Sequence, residues 1–430
     1  MPDVEASTVA TVTRRLIPFL FLLFVVNFLD RVNVGFAALQ MNADLGLTPD
    51  VFGLGVGIFF VGYLIFEIPS NLVLQRIGAR IWIARIMVTW GVLSMAMALA
   101  TGTKSFYVLR FLLGVAEAGF VPGILLYLGQ WFPERARAAA VSKFMSASAI
   151  SIVVGGPVSG LVMQLGGAMG LAGWQWLFIL EGAPAVILGL VCLRYLDNRP
   201  ADATWLSAGQ RTWLCATLER EASSRGGHGL SVAGAALRDA KVWLLGGIYF
   251  CIGVGFYGVS LWLPQIVRQL SGWSPLTIGL ATAVPFVAAA AAMVLNGRHS
   301  DRTGERTGHI IGSCLLGAVG FAVGAFAGNL AVALMGVSLG AVGIWGCIGV
   351  FWSLPMAVLG GAGAAAGIAL INSVGNIGGF AGPYLIGFLR TRTPDFSASL
   401  LLIAGFLLLG CVLVGVLHLR RAAGAVPAAL

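Results

Sequence analysis

Apolar residues along this chain are gathered in blocks separated by short polar connections. Stretches of about 20 or more predominantly apolar residues lie near 16–38, 51–74, 80–101, 105–130, 140–165, 172–195, 241–267, 276–296, 309–328, 330–356, 363–389 and 397–419. A helix crossing the hydrocarbon layer of a bilayer needs roughly 20 such residues, so each block predicts one membrane-spanning helix. Glycine and proline are plentiful inside them, which membrane helices tolerate because neighbours re-satisfy the freed backbone groups. The pattern predicts an all-α membrane protein of twelve transmembrane helices.

Composition supports this. Charged residues are 10% of the chain, against about 25% in soluble domains, and 58% of residues are hydrophobic. Arg14, Arg15, Arg76, Arg80, Arg135, Arg137, Lys143, Arg194, Arg199, Arg298, Arg302, Arg306, Arg420 and Arg421 flank alternate connections, while the others hold only Lys104, Arg268, Arg390 and Arg392. The positive-inside rule then places both termini in the cytoplasm, as an even number of spans requires. The net charge of +9 is accounted for by topology. Its cations are dispersed through short loops, so no nucleic-acid partner is expected. The first block is too long for a signal-peptide core and contains Asp30 and Arg31, so it reads as a retained span.

Six cysteines include no pair close in sequence, and neither a disulfide framework nor a metal site is expected. No GxxxxGK[ST] phosphate loop is present, and no cofactor is implied.

The chain repeats itself. Gly297-Arg-His-Ser-Asp301-Arg302-Thr-Gly304-Glu-Arg306 has a degraded copy in Asn71-Leu-Val-Leu-Gln75-Arg76-Ile-Gly78-Ala-Arg80, shifted by 226 residues (301 − 75). The same shift carries Gly156-Pro157 onto Gly382-Pro383 and Ala138–Ala140 onto Ala364–Ala366. The intact copy resembles the G-x-x-x-D-R-x-G-x-R loop motif of the major facilitator superfamily, whose charged side chains lock neighbouring helices. That resemblance implies a transporter of two pseudo-symmetric six-helix halves, 1–195 and 241–430. It assigns Arg76, Gly78, Arg80, Gly297, Asp301, Arg302, Gly304 and Arg306 to gating. The 196–240 segment joins the halves. Ser207-Ala-Gly-Gln210 matches a capping box there, and Leu206, Trp213, Leu214 and Leu218 share one face of the helix that follows. This helix is expected to lie along the inner membrane surface as a tether packed on the bundle. Ser223 to Gly229 reads as flexible.

A charge at the bilayer centre costs about 2.5–3.5 kcal/mol on insertion scales, so ionisable residues inside spans need a partner or a purpose. Asp30 and Arg31 lie in the first span; Arg110 and Glu117 lie in the fourth, two turns or roughly 10 Å apart. Simple pairing would serve to hold the amino-terminal half together. A functional set would use Arg31 and Arg110 to take a carboxylate in planar, bidentate fashion, with Asp30 and Glu117 as proton sites. A carboxylate released by its arginine when substrate arrives can take a proton, and such linkage is what symport requires. Glu67 and Glu181 fit local structural roles, and Tyr63 offers a hydroxyl to the same region or serves in packing. The second half is nearly free of intramembrane charge. Its polar candidates are Trp262 and Gln265, Trp352 and Ser353, and Asn372 with Asn376, one turn apart, able to present two amides to a ligand or to bond between helices. The glycine runs around Pro157 and Pro383 suit close packing and bending.

Four segments resemble one branch of the superfamily in particular: Asp30-Arg-Val-Asn33-Val-Gly35, Phe66-Glu67-Ile-Pro69-Ser-Asn71, Arg110-Phe-Leu-Leu-Gly114-Val-Ala-Glu117-Ala-Gly119 and Gly173-Trp-Gln-Trp176-Leu-Phe-Ile-Leu-Glu181-Gly182. This is the anion:cation symporter family of bacterial organic-acid permeases. The resemblance implies proton-coupled import of a small organic anion across the bacterial inner membrane by a functional monomer. It implies carboxylate recognition by Arg31, proton coupling by Asp30 and Glu117, and ligand contact at Tyr63, Arg110 and an asparagine between Asn372 and Asn376. Phe28 and Ser148 stand where sugar-acid members carry larger hydrogen-bonding residues, which favours a less hydroxylated acid, tartrate-like or aromatic. The rival within transport is a proton-driven exporter, whose glycine pattern Ile152 interrupts. A membrane-embedded enzyme or receptor is disfavoured by the absence of any nucleophile, metal-ligand or phosphate-loop constellation.

Overall fold

The structure is a computed structural model that describes residues 2–224, 237–359 and 364–425. Among these, eleven helical segments are long and apolar enough to cross a membrane. A further helix, Ala364–Arg390, occupies the remaining expected position. The helices, in chain order, are α1 (Pro2–Asp44), α2 (Pro49–Ile77), α3 (Ala79–Ala96), α4 (Thr103–Glu117), α5 (Phe120–Trp131), α6 (Glu134–Met145), α7 (Ala147–Val162), α8 (Gly173–Tyr195), α9 (Ala208–Ser224), α10 (Ala240–Ser271), α11 (Pro275–Thr303), α12 (Thr307–Ala325), α13 (Leu330–Phe351), α14 (Ser353–Val358), α15 (Ala364–Arg390) and α16 (Ser397–Ala425).

Three predicted spans differ from single helices. The fourth divides into α4 and α5 at Ala118, whose ψ is 130°, and Gly119, whose φ is +86°. Only glycine adopts that left-handed turn without steric cost, and the Ser70 side chain fills the space a Cβ would take. The fifth is interrupted at Ser146 between α6 and α7, and the tenth at Trp352 between α13 and α14, both residues keeping right-handed helical backbone angles.

Contacts gather the chain into two compact units. The first comprises Met1–Asn33, Gly62–Gly155 and Leu165–Gly227; the second comprises Val34–Val61, Gly156–Gln164 and His228–Leu430. The first is built on the pairing of α3 with α8. Gly91 and Gly182 face each other there, each so close to the other's backbone that a Cβ at Gly91 would lie 2.8 Å from the Gly182 carbonyl oxygen. Small residues of this kind let membrane helices meet backbone to backbone, where dispersion replaces the missing hydrophobic drive. The linker helix α9 belongs to this unit. Ser207 and Gln210 make both bonds of the capping box, at 3.3 and 3.2 Å. Leu206 and Leu214 are buried, and Glu221 pairs with Arg137 at 3.2 Å while accepting from the Glu134 amide. From Arg225 onward the stretch read as flexible lies outside the described residues.

The second unit holds α10 to α16 together with the far ends of α1, α2 and α7. Gly35 abuts the Leu261 carbonyl, Gly53 that of Pro383, Gly156 that of Gly279 and Gly160 that of Pro275; a Cβ at any of them would come within 2.5–2.6 Å of the oxygen. Each such contact works only with hydrogen at that position. Asn42 donates to Gln265 Oε1 at 3.4 Å in the same layer. Both Gly-Pro repeats thus serve close helix packing, Gly156 against α11 and Gly382 against α10.

Candidate functional site

In the first unit, α1 brings Asp30 and Arg31 to two different neighbours. Residues adjacent on a helix point about 100° apart. Asp30 turns to α3, where Oδ2 accepts from Trp90 Nε1 at 2.6 Å and Oδ1 accepts from the Ser94 hydroxyl; Asn33, one turn on, donates to Oδ1 at 3.2 Å. Arg31 turns to α4 and α2. Its Nε donates to Glu117 Oε1 at 2.9 Å, and its Nη2 meets the same oxygen. The guanidinium also sits 5.3 Å from the centre of the Tyr63 ring, a cation–π distance.

Asp30, Arg110 and Glu117 are fully buried, and Arg31 retains 10% of its side-chain exposure. The charges of Asp30, Glu117 and Arg31 all reach Arg110, and that of Arg31 reaches Glu67. The four charges singled out from the sequence therefore form one electrostatic cluster of two cations and two carboxylates. Buried ion pairs of this sort add little net stability, because desolvation offsets most of the attraction.

Within it the two carboxylates differ. Both Asp30 oxygens accept hydrogen bonds, whereas both guanidinium contacts to Glu117 fall on Oε1 and leave the buried Oε2 with no hydrogen-bond partner. Glu117 is also the last residue of α4, beside the carbonyl end of a helix dipole, where a negative charge is disfavoured.

Sequence reasoning missed Trp90, Ser94 and Asn33. A signal existed for two of them, since Trp90 and Ser94 lie one turn apart in an apolar span and present two donors to one point.

In the second unit the Tyr249 ring stacks on Phe351 at 4.9 Å and 9°, and meets Trp352 edge-on at 4.9 Å. The same ring lies against Gly375, between Asn372 and Asn376, which are half-buried on α15. Trp352 therefore meets Tyr249, a residue the sequence did not single out, and the glycine that the ring abuts lies between the two asparagines along α15. Gln265 is not part of this group. It lies sixteen residues further along α10, roughly 24 Å at 1.5 Å per residue, in the layer where it meets Asn42. Trp262 is fully buried there and donates to the Pro383 carbonyl at 3.1 Å.

The loop motif forms a small network of its own. Asp301 Oδ1 meets Arg306 Nη1 at 2.6 Å, Arg306 also donates to Ser300 Oγ at 3.0 Å, and Gly304 takes a φ of +68°. Gly297 lies on α11 opposite the Gly349 carbonyl, and Arg302 is exposed. Glu305 caps α12, accepting from the Gly308 and His309 amides at 2.6 and 3.2 Å and pairing with His309 Nδ1 at 2.7 Å. Burial pushes its carboxyl up, but these bonds outweigh it and hold Glu305 below the usual glutamate range. In the degraded copy Gly78 takes a φ of +98°, Arg76 is exposed, and the Arg80 amide donates to Asn198 Oδ1 at 3.0 Å. The glycine before the last two residues of the motif thus takes a positive φ in both copies, left-handed helical only at Gly304.

Cys314 and Cys347 lie 3.6 Å apart, sulfur to sulfur, across α12 and α13, a pair invisible at their spacing in sequence. Among the described residues no three metal-ligating side chains converge.

So many helices long and apolar enough to cross a membrane, with a cluster of four charges buried among those of the first unit, define a multi-pass membrane protein. The Major Facilitator Superfamily model matches residues 20–383, and the chain belongs to that superfamily. It is 51% identical over 415 residues to a protein of Agrobacterium vitis named for tartrate transport, covering 96% of this chain and 92% of that one. It is 40% identical to the quinolone resistance transporter of Acinetobacter baumannii, covering 97% of this chain and 96% of that one. Its fold matches a crystal structure of a bacterial homologue of the human lysosomal transporter Spinster at a TM-score of 0.79, covering 94% of this chain and 97% of that one at 16% identity.

Proposed function

We propose that the chain imports a small organic anion across the bacterial inner membrane together with protons, as a monomer, by alternating access between halves 1–195 and 241–430, with both termini cytoplasmic. The observation that carries this reading is the one-sided pairing of Glu117. Both hydrogen bonds from Arg31 to Glu117 fall on Oε1, and the buried Oε2 is left for a proton. An incoming carboxylate competes for Arg31. Once it wins, Glu117 is a buried carboxylate stripped of its counter-charge, and taking up a proton is the least costly way to remove that charge. Substrate and proton thereby raise each other's affinity, as linkage demands.

Arg31 supplies the planar donor pair for the carboxylate, with Tyr63 and Arg110 beside it. From the second unit, Asn372, Asn376 and Trp352 are assigned to substrate contact through their amides and indole. Gln265 contributes from the layer it shares with Asn42. The Arg76-to-Arg80 and Gly297-to-Arg306 loops act in gating. The substrate class rests on the tartrate-transport name of the 51% identical relative and on the carboxylate chemistry of Arg31. Uptake of labelled tartrate and a panel of mono- and dicarboxylic acids into vesicles holding the purified protein, with an inward proton gradient imposed, tests it directly. The expected result is gradient-driven accumulation of at least one of these acids. Accumulation of none of them under either gradient polarity sinks the reading.

A second reading, proton-driven export, is favoured by the name of the 40% identical relative. In the same vesicles it would appear as substrate moving against the proton flux.

A further inference from the structure

Asn27 is completely buried in α1, and neither its amide nitrogen nor its amide oxygen has a hydrogen-bond partner among the described residues. Buried polar groups are almost always bonded, and one that is not carries the full cost of its lost hydration. A side chain held at that cost in one state is explained most simply by a partner it meets in another.

Its position says which partner. Asn27 precedes Asp30 by three residues and Arg31 by four, so on the helix wheel it falls between the two, about 60° from one and 40° from the other. It stands one turn from the guanidinium that holds Glu117. Both amide atoms of Asn27 and Glu117 Oε2 are thus among the buried atoms near Arg31 for which the structure shows no hydrogen bond. Asp30 is not available as the partner, because Trp90, Ser94 and Asn33 already engage its two oxygens.

An amide offers one donor and one acceptor side by side. A carboxylate offers only acceptors, so it can use half of that face. A protonated carboxylic acid offers a donor and an acceptor with the same spacing and completes both bonds at once, its O–H donating to the amide oxygen and its carbonyl accepting from the amide nitrogen. We propose that Asn27 is a positioning residue for proton coupling: when substrate draws Arg31 away, its amide takes up protonated Glu117 in a paired double hydrogen bond and holds the loaded acid in place. The inference rests on the symport reading above and adds the residue that distinguishes the protonated from the charged form.

The charged and titratable groups around the Arg31–Glu117 pair are Asp30 from α1 and Arg110 from α4 itself, which interact with Glu117, and Tyr63 and Glu67 from α2, which lie by Arg31. From α3 come the neutral Trp90 and Ser94, and α5 carries no charged residue. Replacing the amide changes none of these charges, so a shift in proton dependence would be traceable to the lost hydrogen bonds.

The test measures uptake against pH in vesicles for the native protein, Asn27→Leu and Asn27→Gln, with Glu117→Gln in parallel. Without the amide the protonated acid loses its partner, protonation becomes harder, and the alkaline limb of the profile moves to lower pH. The expected shift in Asn27→Leu is about one pH unit, with maximal uptake at acid pH retained. Asn27→Gln, which keeps the amide, should restore most of the native profile. A uniform loss of uptake at every pH, or an unshifted profile, overturns the proposal. If Asn27→Leu fails to reach the membrane, Asn27→Thr, with one hydroxyl for two amide bonds, should show a smaller shift in the same direction, and no shift overturns it equally. The parallel variant separates the two levels. Proton-driven accumulation that survives in Glu117→Gln removes the coupling reading and this inference together, whereas its loss alongside an unshifted Asn27→Leu profile removes Asn27 alone.

Discussion

Arg31 holds Glu117 by a single oxygen. The Nε contact of 2.9 Å and the Nη2 contact both end on Oε1, so the pair is neither the parallel fork of two oxygens that arginine and carboxylate usually form nor a pair of fully satisfied charges. That asymmetry makes the pair easy to exchange, and the following outcomes are expected from it and from the packing around it.

Glu117→Gln mimics the protonated acid. Gradient-driven accumulation should fall to the background of empty vesicles, while exchange of labelled for unlabelled substrate across the membrane persists. Parallel loss of exchange and accumulation would make Glu117 a structural residue.

Arg31→Lys keeps the charge and loses the planar pair of donors. Each bidentate contact to a charged group contributes about 1.5–3 kcal/mol, so the apparent affinity should drop roughly ten- to hundred-fold with folding intact. Isothermal binding with the detergent-solubilised protein measures this, and unchanged affinity takes Arg31 out of the site.

Gly156→Ala would place a Cβ 2.6 Å from the Gly279 carbonyl oxygen and 2.7 Å from Thr282 Oγ1. Backbone on one side leaves little room to yield, so this layer should loosen at a cost of about 1–3 kcal/mol. The expected signs are a lowered melting temperature in detergent and a slower uptake rate. A native melting curve would mean that the two helices separate without penalty.

Asp301→Asn removes the charge facing Arg306. Both residues are partly exposed and the pair is worth little in stability, so the effect should appear in rate: slower transport with an unchanged set of competing acids. A changed competition profile would mean that the loop contacts substrate.

Moving one charge inward across the membrane contributes about 2.3 kcal/mol per 100 mV. A monoanion carried with two protons, on Asp30 and Glu117, should therefore be stimulated by an inside-negative potassium diffusion potential at constant pH. Voltage-independent uptake that still follows a proton gradient would fix the stoichiometry at one proton and leave Asp30 to its three bonded partners.

Much of this was legible in the chain itself. Twelve apolar blocks and the 226-residue repeat can be read directly, since span length is set by the bilayer and a repeat by residue identity alone, whereas the positive φ of Gly304 came from the structure. Charge in an apolar span is equally conspicuous, because its cost demands explanation wherever it occurs. Asp30, Arg31, Arg110 and Glu117 could thus be picked out one by one. What each of them touches could not. Whether Arg31 meets Asp30 beside it or Glu117 on another helix depends on how α1 is rotated against α3 and α4, and that rotation is set by packing among residues far apart in sequence. The same holds for the neutral partners. Trp90, Ser94 and Asn27 carry no charge to mark them, and Tyr249 reads as one aromatic among many until the fold lays it against Gly375 and Trp352. The break after Glu117 is the clearest case. An uninterrupted apolar block predicts one helix, but the Ser70 side chain fills the space beside Gly119 and the chain turns there, placing a carboxylate at a helix end that only the folded bundle creates.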